Sequence, residues 1–235
     1  MSCVWDFFLS FSAPEPIDVL VIGSSVAAGS GAWPSRGWVA LLAAALAEGD
    51  PKLGLRNAAV SGSNASGINW RPSTMRELEK ALKRYEPRVV VISLSLLNEG
   101  LLDAVSPAQA NSVGEHFEAG VKALVERAVA ANAAPILCSV YPNNEYTPLH
   151  VDVLRRVHAS MTNWGWPTID FLAALDDGRG RWKPGTAADA GHPNGHGHRL
   201  MFEAIDLSLF TTAVRPSGAS TIDSWEAGAR GEAWG

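Results

Sequence analysis

A pair of serines follows the first buried strand that the sequence predicts. Residues 23–29 read GSSVAAG. This segment lacks both the Gly-x-Gly-x-x-Gly spacing of a dinucleotide site and the lysine of a P-loop. Ala27 also occupies the position where a nucleophile elbow needs its second glycine. What remains is a serine hydroxyl at a strand-to-helix turn, beside backbone N–H groups, which fits either a nucleophile or ordinary turn chemistry.

A possible partner for this serine lies near the other end of the chain. Residues 189–194 read DAGHPN. Asp189 and His192 are three residues apart in a short Gly- and Pro-containing loop, so the carboxylate can orient the imidazole and leave its other ring nitrogen free. A serine hydroxyl becomes a good nucleophile only when such a base takes its proton. The two segments therefore predict a Ser25, His192 and Asp189 triad.

Two further loops offer hydrogen-bond donors. Gly62 ends the segment NAAVSG, and its bare N–H could approach a substrate oxygen closely. Asn98 follows a predicted strand and carries a side-chain amide. With the Ser25 N–H, these groups could hold the oxyanion of a tetrahedral intermediate. Taken singly, Gly62 also fits a turn glycine and Asn98 a helix cap.

The elements that position these loops alternate along the chain. Aliphatic runs predict strands at 17–22, 53–60, 88–94, 136–140 and 167–171. Periodic segments with capping signals predict helices at 38–47, 74–85, 107–132, 148–164 and 197–210, with Thr74 as the cap of the second. Such alternation implies right-handed crossovers and one parallel sheet between helical layers. Ligands then bind at the carboxyl ends of the strands, where all four loops lie.

Composition narrows the class of protein. The 235 residues are 47% hydrophobic and 18% charged, a composition that excludes a disordered chain. The net charge of −5 gives no positive electrostatic field that would attract nucleic acid or anionic membranes, so neither is an expected partner. No run approaches the length of a membrane span, and Asp6 interrupts the apolar N-terminus, so we expect a soluble protein, cytoplasmic by default. Cys3 and Cys138 are expected to be free thiols. The predicted organisation is an extension over 1–16, one domain over 17–214 and a tail over 215–235.

These four segments together resemble the conserved blocks of the GDSL/SGNH hydrolases. The blocks are GSS at 23–25, the segment at 57–62, Asn98-Glu99 and DAGHPN at 189–194, in that order. The resemblance implies a flavodoxin-like α/β/α sandwich with a central parallel sheet of about five strands, no cofactor, and ester hydrolysis through an acyl-enzyme. By position it also implies that Ser25 is the nucleophile, His192 the base and Asp189 its orienter. It assigns the oxyanion hole to the Ser25 amide, Gly62 and Asn98.

Two blocks depart from the family pattern. Ser24 replaces the aspartate of Gly-Asp-Ser, which leaves the triad intact because Asp189 supplies the orienting carboxylate. Leu96 replaces the glycine of Gly-x-Asn-Asp, and a leucine there is expected to narrow the acyl pocket. Both residues are therefore candidate substrate contacts.

Tryptophans and histidines supply the remaining candidates. Trp33 and Trp70 follow the first two blocks, and their indole faces could line the cleft or belong to the core. His192, His196 and His198 suggest a metal site, but glycines separate them and no cysteine is near, so we predict no metal.

The leading hypothesis is a serine ester hydrolase that acts on a short-chain ester, with an acetylated carbohydrate as the narrower substrate class. Three alternatives stay open: a lipase- or thioesterase-like member, a non-catalytic binder of carbohydrate or protein on the same fold, and a metal-dependent hydrolase. A small-molecule or carbohydrate ester is the expected partner in the leading case.

Overall fold

Five parallel strands form the centre of the structure, a computed structural model that describes residues 17–67 and 71–210. The strands are β1 (Val19–Gly23), β2 (Leu55–Asn57), β3 (Val89–Ser93), β4 (Ala134–Cys138) and β5 (Thr168–Ile169). Their order is β2-β1-β3-β4-β5, and every neighbouring pair is parallel. This is the flavodoxin-like order, so the predicted α/β sandwich with a five-stranded sheet is confirmed.

Helices cover both faces of the sheet and divide the core in two. They are α1 (Ser25–Ala28), α2 (Trp38–Gly49), α3 (Thr74–Tyr85), α4 (Pro107–Val129), α5 (Pro148–Thr162), α6 (Phe171–Leu175) and α7 (Gly195–Glu203), with a 3-10 helix at Leu101–Asp103. Leu20 and Ile22 pack with α3, α4 and α5, whereas Val19 and Val21 pack with α2, α6 and α7. Successive side chains of a strand point to opposite faces, and β1 is buried on both.

Local signals located most helices but misplaced some ends. The cap of α3 is Ser73, whose side chain accepts from the Arg76 amide, rather than Thr74, which lies inside the helix and is buried. The last predicted helix ends at Glu203 instead of 210, and Asp206, which accepts the Ser208 amide, begins a separate turn. The short helices α1 and α6 were not predicted, since four or five residues are too few to show helical periodicity.

Parts of the predicted organisation lie beyond the described range. The extension over 1–16, the tail over 215–235 and Trp70 are outside the described residues. The single domain over 17–214 stays a prediction. No helix within residues 17–67 and 71–210 is long and apolar enough to cross a membrane.

Candidate active site

The turn that carries the predicted nucleophile is shaped by a close approach between two strands. A Cβ at Gly23 would overlap the carbonyl oxygen of Ser93 on the neighbouring strand β3, so only glycine fits. The Ser24 amide donates to that same carbonyl at 3.2 Å. The chain then turns directly into α1, and half-buried Ser25 is the first residue of that helix. Its hydroxyl is consequently held at the carboxyl edge of the sheet.

Ser25, His192 and Asp189 form a continuous hydrogen-bonded chain. His192 Nε2 lies 3.0 Å from Ser25 Oγ, although the two residues are 167 positions apart. The other ring nitrogen, Nδ1, lies 2.9 Å from both carboxylate oxygens of Asp189. Because a carboxylate only accepts, Nδ1 carries the proton and Nε2 is free to take the serine proton. Such an arrangement can supply a nucleophile, a general base and an orienting acid.

Backbone amides fix the position of Asp189, the last group in this series of hydrogen bonds. Asp189 Oδ1 accepts the amides of Gly191 and His192, each at 2.8 Å. Partial burial raises the pKa of Asp189, but hydrogen bonds from the His192 ring and these two amides outweigh it, so the net pKa lies below its ordinary value. Asp189 therefore stays ionised and keeps His192 in one tautomer.

The histidine loop rests on two neighbouring loops. Trp182 donates from Nε1 to the Ala190 carbonyl at 2.9 Å, and the backbone N–H of Asn144 donates to the same carbonyl at 2.9 Å. On the nucleophile side, a Cβ at Gly31 would overlap the Pro193 carbonyl, so the loop after α1 packs directly against the histidine loop. These contacts fix the distance between Ser25 and His192.

The predicted oxyanion donors lie beside the nucleophile strand. Ser63 donates from Oγ to the Gly23 carbonyl at 2.8 Å, which brings the Gly62 loop to the end of β1. Asn98 is 7% exposed, and its Nδ2 donates to the Ser63 carbonyl at 3.0 Å. An amide nitrogen has two hydrogens, so one remains for a ligand. Gly62 has a φ of +82°, which favours glycine.

Glu99 holds the same loop, a contact that sequence reasoning missed. The side chain is buried, with Oε1 2.5 Å from the Ala65 amide and Oε2 2.6 Å from Ser66 Oγ. Burial raises the pKa of Glu99, while its hydrogen bonds with Ser66 and Ala65 and the charge of Arg71 partly offset that rise. The acidic residue after Asn98 in the third block was the only available signal.

Comparison with known proteins assigns the family. The model of the GDSL-like lipase/acylhydrolase family matches residues 21–200. The chain belongs to this family. That match spans the nucleophile turn, both donor loops and the histidine loop.

Several individual proteins resemble this GDSL-family chain. Esterase TesA of Pseudomonas aeruginosa is 29% identical over 143 residues, which cover 61% of this chain and 64% of that protein, less than two thirds of its length. The crystal structure of TesA superimposes with a TM-score of 0.60 at 23% identity, over 85% of this chain and 98% of that one. The acetylxylan esterase Axe2 of Geobacillus stearothermophilus gives 0.57 at 18% identity, over 86% and 95% of the two chains. These structures share the fold.

Two predicted substrate contacts have buried side chains in the structure. Ser24 is 0% exposed and Leu96 is 1% exposed, and Leu96 belongs to the hydrophobic core. The next residue, Leu97, is half-buried, and its side chain lies against Gly191 of the histidine loop. The leucine beside the GDSL-family site is thus Leu97, since the strand-to-loop turn directs its neighbour inward.

The predicted aromatic and histidine residues occupy different environments. Trp33 is 90% exposed on the loop that packs against the histidine loop, so it is not a core residue. His198 is fully buried, accepts the Trp38 amide at Nδ1 and donates to the Ser30 carbonyl from Nε2. Burial lowers the pKa of His198, despite the opposing effect of Ser30. His196 is exposed, and no metal-binding group of three or more His, Cys, Asp or Glu occurs in the described part of the chain.

Proposed function

We propose that this protein is a carboxylic ester hydrolase that works through an acyl-enzyme on Ser25. The observation that carries the proposal is the hydrogen-bonded chain from Ser25 Oγ through the His192 ring to Asp189. Membership of a lipase/acylhydrolase family supports it. A chain retained only for binding has no need of a serine, a base and an orienting carboxylate in this order.

In the first half of the reaction, His192 Nε2 takes the hydroxyl proton as Ser25 Oγ attacks the ester carbonyl carbon. The carbonyl electron pair moves onto oxygen and forms a tetrahedral oxyanion. When that pair returns, the bond to the alcohol oxygen breaks, and the leaving alcohol takes the proton from His192. Water repeats the sequence in the second half, releasing the acid and restoring the hydroxyl of Ser25.

The oxyanion has three donors in this proposal: the Ser25 amide, the Gly62 amide and the free hydrogen of Asn98 Nδ2. Neither backbone amide has an acceptor among the described residues. Donors aimed at the developing charge stabilise the transition state more than the ground state, which is what raises kcat.

The substrate class we propose is a short-chain ester, with an acetylated carbohydrate as the narrower choice. Support comes from Trp33, whose exposed indole stands on the loop beside the histidine loop and can stack on a sugar ring. One protein of similar fold is described as an acetylxylan esterase. Longer acyl esters and thioesters are the competing substrates, and the relative named TesA is described as an esterase.

The test compares wild-type protein with Ser25→Ala and His192→Ala on chromogenic esters of two to twelve carbons, an acetylated xylo-oligosaccharide and an acyl-thioester. Wild-type turnover on the acetyl substrates is expected to exceed that on longer chains. Both variants are expected to lose about 10⁴- to 10⁶-fold in kcat because the residues act as one unit. Ser24→Ala is the matched control and is expected to retain turnover, since its buried hydroxyl does not reach the cleft.

Three results would change this proposal. Equal rates for wild type and Ser25→Ala on every substrate would favour the non-catalytic binder. Loss of activity in Ser24→Ala alone would identify the other serine as the nucleophile. Loss of activity on treatment with a chelator would favour the metal-dependent hydrolase.

A further inference from the structure

The loop that carries Gly62 is fixed by contacts on three sides. Towards β1, Ser63 Oγ donates to the Gly23 carbonyl at 2.8 Å. Towards the loop after β3, the Ser63 carbonyl accepts Asn98 Nδ2 at 3.0 Å. A few residues further on, the amides and hydroxyl of this loop meet the carboxylate of Glu99. The segment from Gly62 to Ser66 therefore has little freedom to move relative to the nucleophile.

The Glu99 carboxylate binds consecutive groups of this loop with both oxygens. Oε1 accepts the Ala65 amide at 2.5 Å, and Oε2 accepts Ser66 Oγ at 2.6 Å and the Ser66 amide at 3.4 Å. A carboxylate can satisfy all three donors at once, because its two oxygens only accept. A carboxamide cannot, because its NH₂ group would face the Ser66 amide. The contact depends on charge and geometry together.

Helix α4 packs directly against the same loop. A Cβ at Gly120 would lie 2.5 Å from the Ala65 carbonyl carbon and 2.7 Å from the Ser66 amide nitrogen, well inside van der Waals contact. Gly120 is therefore the residue that lets the loop lie between α4 and Glu99. Two separate elements hold the same two residues, Ala65 and Ser66.

We propose that Glu99 is a positioning residue for the oxyanion hole: its carboxylate, together with the close packing of Gly120, holds the Gly62 amide where the substrate oxyanion forms. The inference rests on the proposed ester hydrolysis. Burial of a carboxylate opposes folding unless its hydrogen bonds compensate, and here burial raises the pKa of the group. The buried carboxylate fixes the loop that carries the Gly62 amide. Misplacement of a catalytic donor by about 1 Å lowers the rate by about 10²-fold, which accounts for a carboxylate being buried here.

The test is Glu99→Gln, with Asp18→Asn as the matched control. Asp18 lies at the amino ends of the strands, away from the proposed site. Its Oδ2 accepts the Gly54 amide at 2.9 Å, and its Oδ1 binds Arg88. Both variants change a loop-holding carboxylate to an amide, but only Glu99 holds a loop of the proposed site. The concentration of active sites is measured first by titrating the serine to completion with a fluorophosphonate. We expect kcat of Glu99→Gln per active site to fall about 10- to 100-fold, with KM changed less than about twofold. Asp18→Asn is expected to lower the melting temperature and leave kcat unchanged.

A second variant perturbs the same loop without changing its charge. Gly120→Ala should displace the peptide between Ala65 and Ser66 from its position against Glu99 and lower kcat about tenfold with KM retained. Glu99→Asp, which is one carbon shorter, should recover part of the activity lost in Glu99→Gln.

The outcomes separate this inference from the proposed function. A wild type no faster than Ser25→Ala would remove the ester hydrolase itself. An active wild type with full kcat in folded Glu99→Gln would overturn the role of Glu99 alone. If Glu99→Gln does not fold, full kcat in Gly120→Ala overturns it instead. Equal kcat losses in Glu99→Gln and Asp18→Asn would reduce Glu99 to a general stabilising residue.

Discussion

The two halves of the proposed site are built differently. In the triad, side chains hold one another, and the outermost group is open to solvent: the Asp189 side chain is 60% exposed and that of His192 is 27% exposed. In the oxyanion half, side chains hold backbone, and they are buried: Asn98 is 7% exposed and Glu99 is 8% exposed. One half lies at the rim of the sheet edge, and the other continues into the core.

This difference follows from what each half has to do. A triad exchanges protons with substrate and water, so its groups must be reached from solvent and need only be aligned. An oxyanion hole must have its donors in place before charge develops, and rigidity of the backbone comes from packing and buried hydrogen bonds. The comparison predicts that triad variants lose activity alone, whereas variants of the oxyanion half lose activity and stability together.

Among the variants that test this comparison, the largest effect is expected for Asp189→Asn. An amide at this position favours the wrong tautomer of His192, so we expect kcat to fall about 10⁴-fold. At neutral pH the lowered pKa of Asp189 does contribute stability, but exposure to solvent screens that contribution, and an asparagine carbonyl oxygen can still accept the Gly191 and His192 amides. The melting temperature should therefore be nearly unchanged.

The measurement pairs ester kinetics with thermal melting at neutral pH. Asp206→Asn is the control, because Asp206 is another exposed aspartate whose pKa is lowered by the side chain and amide of Ser208. It should retain full kcat. A melting temperature several degrees lower in Asp189→Asn than in Asp206→Asn would contradict the division between the two halves.

A smaller effect on rate, joined by a loss of stability, is expected for Asn98→Ala. Removal of one oxyanion donor typically costs about 10²- to 10³-fold in kcat. It also leaves the Ser63 carbonyl without its partner, which should lower the free energy of unfolding by about 1–3 kcal/mol. Kinetics and denaturant unfolding measure the two quantities on the same sample.

The matched control is Ser63→Ala, which removes a buried hydrogen bond of the same loop but no proposed donor. It should lose comparable stability and a smaller share of kcat, of the size expected for a loosened Gly62 loop and not for a lost donor. If both variants lose kcat equally, the loss in Asn98→Ala reflects a displaced loop and Asn98 is not a donor.

The smallest effect is expected for Trp33→Ala, which belongs to neither half. Its side chain is 90% exposed, so stability should not change. On an acetylated carbohydrate, loss of one aromatic stacking surface should raise KM about 5- to 10-fold with kcat retained. Trp33→Phe should keep most of the affinity. An unchanged KM in Trp33→Ala would remove this residue from the substrate site.

Prediction from sequence succeeded where the signal was local and failed where direction mattered. The aliphatic runs at 17–22 and 88–94 predicted strands correctly, because a strand that is buried on both faces is continuously aliphatic. The predicted start of α4 at Pro107 is confirmed, with Ser106 as a cap that accepts the Gln109 amide, since Ser before Pro is a strong start signal. Leu96 and Leu97 are adjacent leucines, however, and no sequence rule decided which one faces the core.

The amino-acid sequence by itself determined the order of strands and helices, the edge at which the loops meet and the residue types of the triad. It could do so because aliphatic runs and caps are set by neighbouring residues. Parallel crossovers then follow from the alternation of strands and helices. Only the tertiary structure decided that Glu99 and Gly120 both contact the loop that follows Gly62 and that Ser24 and Leu96 turn inward. Those facts depend on contacts between elements far apart in the chain, which no pattern of neighbouring residues specifies.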